Sequence, residues 1–134
     1  MKKTVFFIAF IIIIAGLSLG CAKQEQVKIL AIRDIQTDPL SFTGEIIVNG
    51  IVAVIAHDDD TIFGIMDTAE LLSCKNLSCG AFILPVKYVG GGTVPELADE
   101  INVTGSWIES EAGFIFEVAE VEIKRNVMSI LMGG

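Results

Sequence analysis

The chain has 134 residues, with nine lysines and arginines against seventeen aspartates and glutamates, for a net charge of −8. A chain of this length makes one domain with a real core. Its acidity argues against binding a phosphate backbone, which takes clustered Lys and Arg, and against lying flat on anionic lipid.

The N-terminus reads as an export leader over residues 1–20. Lys2 and Lys3 form a positive start, and Val5 to Ile14 form an apolar stretch. Small residues then lead to Cys21. The apolar stretch is shorter than the roughly 20 residues that span a bilayer comfortably, so a permanent anchor is the lesser reading. Leu17-Ser18-Leu19-Gly20-Cys21 resembles a bacterial lipobox. The resemblance implies cleavage before Cys21 and palmitate-type acylation of its sulfur and new amino group. Several acyl chains hold firmly where one binds only marginally. The expected location is the cell envelope, facing the periplasm. Ala22 rather than aspartate after Cys21 favours the outer over the inner membrane. Losing Lys2 and Lys3 with the leader takes the net charge from −8 to −10.

Residues 21–27 read as a lipidated tether, 28–125 as a barrel and 126–134 as a frayed tail. Lys28–Arg33 suits a leading strand. Asp34–Pro39 is turn-rich, and Pro39–Phe42 suits one helical turn capped by Asp38. Residues 45–56, EIIVNGIVAVIA, are too β-branched for a comfortable helix and read as one long strand. Gly50 at its centre marks a bulge, a bend or a close approach of another backbone. A long first strand bent at its middle is what a small closed barrel needs.

His57-Asp58-Asp59-Asp60 is a turn, and Thr61–Asp67 is the return strand. Ala69–Leu72 suits a brief helix. Ala81–Tyr88 is a strand whose Pro85 cannot donate to a ladder, which points to an edge or a bulge. Pro95–Glu100 suits a short helical turn plugging the barrel through Leu97. Ile101–Trp107 alternates with period two. Glu111–Gly113 is a hairpin turn, and Phe114–Lys124 is the last strand. Phe63, Phe82, Phe114 and Phe116 are assigned to the core.

The predicted fold class is all-β: a five-stranded OB-fold-like closed barrel with a short helix, preceded by the lipoprotein leader. Leu84-Pro85-Val86-Lys87-Tyr88, Gly90, Pro95-Glu96-Leu97, Val103-Thr104-Gly105 and Phe114–Val118 follow in order. This succession is similar to the CcmE family of periplasmic haem chaperones, and to small bacterial OB-fold lipoproteins more broadly. That family attaches haem through a histidine just after its last strand. The equivalent Ile123–Asn126 holds none, so that chemistry is not carried over.

Cys74 and Cys79 are the even pair left once Cys21 is acylated, in a compartment where disulfides persist. They read as a structural disulfide. Regulatory thiol chemistry and a metal clip stay open, although the spacing is not C-x-x-C and the chain has one histidine. Asp58, Asp59 and Asp60 beside His57 are weak metal candidates, more simply a solvated turn. Tyr88 and Trp107 are candidates for a ligand face, with rim packing as the plainer alternative. The reading is a non-enzymatic, membrane-anchored binding or accessory module with no cofactor. Its expected partner is an envelope protein or a small molecule, not nucleic acid. The rival is a thiol–disulfide or metal/haem delivery factor using Cys74 and Cys79.

Overall fold

The computed structural model describes residues 27–133. The leader assigned to 1–20, and Cys21 with the tether up to residue 26, lie outside the described residues.

Strand β2 (Ile46–Ile55) takes part in both halves of the barrel. Its first half pairs antiparallel with β5 (Asp99–Ser110), from Ile46↔Gly105 to Ile51↔Glu100. Its second half pairs antiparallel with β3 (Ile62–Met66), from Ile51↔Met66 to Ile55↔Phe63. At Ile51 both partners are present, so they occupy opposite edges of β2. Strand β3 pairs with β4 (Leu84–Tyr88). Strand β4 runs parallel to β6 (Gly113–Asn126), and β6 returns to β5. The circuit β2-β3-β4-β6-β5-β2 is a closed five-stranded barrel with OB-fold-like connectivity, as the sequence predicts.

Gly50 is explained by close approach. A Cβ there would stand 3.0 Å from the Met66 carbonyl oxygen and 3.2 Å from the Ile65 side chain. The bulge lies further on, between Val52 and Val54.

Strand β1 (Ile29–Ala31) pairs parallel with residues 47–49 of β2, on the edge that β3 takes further along. The sequence predicts strand through Arg33, but the chain turns instead into helix α1 (Ile32–Ile35). Two carboxylates account for the turn. Asp34 accepts the Ala31 N–H at 2.9 Å, and Asp67 accepts the Arg33 N–H at 3.2 Å. Helix α1 places Ile32 and Ile35, both fully buried, in the core with Val48, Val52, Val103 and Phe116.

The plug is therefore α1 and not Leu97, which is 43% exposed. Residues 95–100 form no helix. Ala98 sits in the left-handed region at φ 67. Its N–H donates to the Val52 carbonyl at 2.9 Å, and its carbonyl accepts from the Val127 N–H at 2.8 Å. Those bonds fix Ala98 between β2 and the tail, and β5 begins at the next residue.

A second hydrophobic layer lies outside the barrel. Ile51 and Met66 are covered by Leu71 of helix α2 (Thr68–Cys74), by Ala98 and by Val127. This corrects the expectation of a frayed tail. Val127 is fully buried, and helix α3 (Met128–Met132) packs Met128 and Leu131 against the same cluster. Val127, Met128 and Leu131 cover apolar residues that a barrel of this size cannot face inward.

Three smaller expectations change. Strand β4 is paired on both sides, and Pro85 sits opposite Gly64 just ahead of the first β6 pairing at Val86. Phe114 is 50% exposed, because it stands at the tip of the β5–β6 hairpin opposite Glu109. The helical turn at Pro39–Ser41 forms as a 3-10 turn, but the Asp38 side chain does not cap it. The Asp38 carbonyl accepts from the Ser41 hydroxyl at 2.8 Å instead.

Ile35→Ala is expected to lower stability by about 2–5 kcal/mol, as for other buried isoleucines. Leu97→Ala is expected to stay within about 0.5 kcal/mol of the parent. Urea denaturation of the two variants measures both; the reverse order would restore Leu97 as the plug.

Candidate binding face

A recess of about 530 Å³ against β5 and β6 gathers polar and apolar groups. Strands β1 and β2 contribute Ile29 and Ile47. Strand β5 contributes Asn102 and Thr104, and β6 contributes Ala119 to Glu122. The loop leaving β4 completes it with Tyr88, Gly91 and Gly92.

Register explains the lining. Ile29 pairs with Ile47, Ile47 with Thr104, and Thr104 with Glu120, so one row crosses four strands. The next row runs Asn49, Asn102, Glu122. Its side chains form a hydrogen-bonded ladder. Asn49 accepts from the Thr68 hydroxyl at 2.9 Å and donates to Asn102 at 3.0 Å. Asn102 donates to Glu122 at 2.9 Å, and Lys124 binds the other Glu122 oxygen at 2.9 Å. Lys124, and after it the Asn102 amide, hold the Glu122 carboxyl below the usual carboxylate range. A ladder satisfied along its length fixes the side chains beside the recess before anything binds.

Tyr88 belongs to this recess, but not as an exposed stacking platform. It is 6% exposed and packs within the barrel core. Its hydroxyl accepts the Gly92 N–H at 2.8 Å, which folds the loop back over the ring. Gly90 lies against that ring and the Ala119 carbonyl, where a Cβ has no room. Trp107 lies elsewhere. Its ring is half-buried and tilted against Phe116, with centroids 5.2 Å apart. Both rings pack in the barrel core, and of the two only Tyr88 lines the recess.

Cys74 and Cys79 are joined as a disulfide with Cα atoms 6.6 Å apart. Asp67 begins α2 by accepting the Ala69 and Glu70 N–H groups. Lys75, left-handed at φ 56, ends it with its N–H on the Leu71 carbonyl at 2.7 Å. The ring then turns on Asn76, whose side chain accepts the Ser78 N–H at 2.8 Å. Cys74 is exposed, whereas Cys79 is partly buried against the outer hydrophobic layer with Leu77 and Ile83. The disulfide thus pins a segment that covers Met66.

His57, Asp58, Asp59 and Asp60 all stand exposed in the β2–β3 turn. Asp59 is taken up by its own turn, accepting both the backbone N–H and the hydroxyl of Thr61. The hydroxyl first and the N–H second hold its carboxyl below the usual range. Among the described residues, no three His, Cys, Asp or Glu side chains converge as a metal site would require.

Sequence reasoning missed Asn49, Asn102, Thr104 and the β1 contribution through Ile29. The available signal was two asparagines inside otherwise apolar strands, where a polar side chain needs partners. Compared with protein-family models and with curated proteins, the chain matches none.

Two measurements check this site. Carboxyl titration by NMR should place Glu122 below the ordinary glutamate value. Lys124→Ala should raise it more than Asn102→Ala. A depressed carboxylate contributes stability that is present above its unfolded pKa and lost as pH falls through the folded one. Replacing both Cys74 and Cys79 by serine should cost about 2 kcal/mol, the chain-entropy value for so small a ring. Equilibrium denaturation of the double variant reads this directly.

Proposed function

We propose that this protein is a lipid-anchored, extracytoplasmic binding module. Its OB-fold-like barrel would hold a protein or small-molecule partner at the recess beside Tyr88, with no chemistry of its own. The recess carries the reading. It joins an apolar floor, Ile29 and Ile47, to polar groups, Asn102 held by the ladder and Thr104 beside it, which is how small binding sites are commonly made. The lipobox-like Leu17–Cys21 supports the anchor. Cys21 to Ile29 is eight residues, so a fully extended tether reaches at most about 28 Å. A second recess of about 650 Å³, lined by Val27, Lys28 and Phe42 among others, lies where that tether enters the barrel.

The resemblance to the CcmE haem chaperones supports a periplasmic setting and a carrier or accessory role. Haem attachment is not part of the proposal. Strand β6 runs through Asn126, and the sole histidine, His57, belongs to the β2–β3 turn. One observation favours the alternative, thiol–disulfide or metal/haem delivery: the Cys74 end of the disulfide is exposed. Thiol alkylation after mild reductant separates the two readings. A structural disulfide stays closed while the barrel is folded, and a delivery pair opens.

The anchor is tested by mass spectrometry of the protein extracted from envelopes. The expected product begins at acylated Cys21, and Cys21→Ser should release the protein from the membrane fraction. An intact, unmodified leader refutes this anchor. The recess is tested by a photo-crosslinker at Thr104, compared with one at Asp58 in the distant turn. A discrete product from Thr104 alone is expected; equal products from both positions would remove the recess from the proposal.

A further inference from the structure

Several strand edges remain open among the described residues, and the sequence protects three of them unequally. Strand β1 is only three residues long. The outer edge of β6 beyond Val118 carries register shifts at Ala119 and Lys124, and charged Lys124 and Arg125. Shortness, bulges and cations are the usual means of keeping an edge from pairing with another chain. The third edge has none of them. Strand β2 stops at Ile46↔Gly105, and Gly44, left-handed at φ 79, turns the preceding chain away. Strand β5 continues alone on that side through Ser106-Trp107-Ile108-Glu109-Ser110. Its other edge pairs with β6 without a register shift, from Ser106↔Glu117 to Ser110↔Gly113.

We propose that this edge joins a second copy of the chain, β5 against β5 about a two-fold axis at Ile108. The segment is self-complementary in that register. Antiparallel pairing sets Ser106 opposite Ser110 of the second copy, Trp107 opposite Glu109, and Ile108 opposite Ile108. No carboxylate meets a carboxylate, whereas a parallel in-register pairing would set Glu109 against Glu109. Directly opposed side chains stand about 4.5–5.5 Å apart at Cβ and interact. Two features of the single chain find partners this way. The Trp107 ring is half-buried, and its open side meets the aliphatic stem of Glu109 from the second copy. Ile108, paired with Ile115 in its own chain, extends into a row of four isoleucines across the two-fold. The contact is isologous and therefore closes as a dimer instead of growing into a filament.

The test uses the full chain in detergent, followed by sedimentation over a range of concentrations. A monomer–dimer equilibrium is expected. Ile108→Lys, which sets two ammonium groups face to face, should raise the dissociation constant roughly tenfold or more. Ile123→Lys on the protected β6 edge should leave it unchanged. Ile108→Cys gives a second readout that does not depend on the lysine variant folding, since cysteines on the axis should link two chains under mild oxidation while Ile123→Cys does not. A chain that stays monomeric throughout, a dimer indifferent to Ile108→Lys, or linkage through Ile123→Cys in place of Ile108→Cys would each overturn the proposal.

Discussion

The fold depends on one strand being shared. Strand β2 leaves β5 and takes up β3 across Gly50, Ile51 and Val52. The changeover works only if β3 can come close, which is why a glycine faces the Met66 carbonyl. Closure has a second consequence. Side chains alternate along a strand, so while Val48 and Val52 point into the barrel, Ile51 points out. An isoleucine and a methionine facing outward need a cover, and the chain supplies one from three separate places: α2, Ala98 and the tail.

These covering pieces are short, and isolated helices of this length are unstable in water. Tertiary contacts hold them. Asp67 illustrates how. Its buried carboxylate accepts two N–H groups that start α2 and a third from Arg33 in α1. One side chain thereby ties the inner plug to the outer cover, and its charge is met by backbone dipoles on both sides. The disulfide does related work at the other end of α2, where it limits how far the Leu77–Ile83 segment can lift from Met66.

The sequence made the sheet legible and left its ends obscure. The β-branched run of β2, the return strand, the Glu111–Gly113 turn and the alternation of β5 are local signals, and each agrees with the barrel. The misread segments are those where a distant residue decides. Ile32-Arg33-Asp34-Ile35 carries one local start signal, Asp34, which accepts the Ala31 N–H; the other, Asp67, acts on Arg33 from 34 positions away. Pro95–Glu100 has a helical composition, yet bonds from Ala98 to Val52 and Val127 override it. The recess was hidden for the same reason. Its lining comes from five strands, and only their register shows that Asn49, Asn102 and Glu122 share a row.

The proposed anchor and the acidic surface act together on how the barrel would sit. Acylation of Cys21, as proposed, would keep β1 within about 28 Å of the bilayer surface at full extension. With a net charge of −8, or −10 once the proposed leader is removed, the domain would be repelled by anionic headgroups within a Debye length of about 8 Å at physiological salt. The barrel would then be held off the membrane without being free to leave it. Ile29, the first residue of β1, also forms part of the recess floor. If Cys21 is acylated as proposed, a partner at that recess would meet the barrel on its membrane-proximal side.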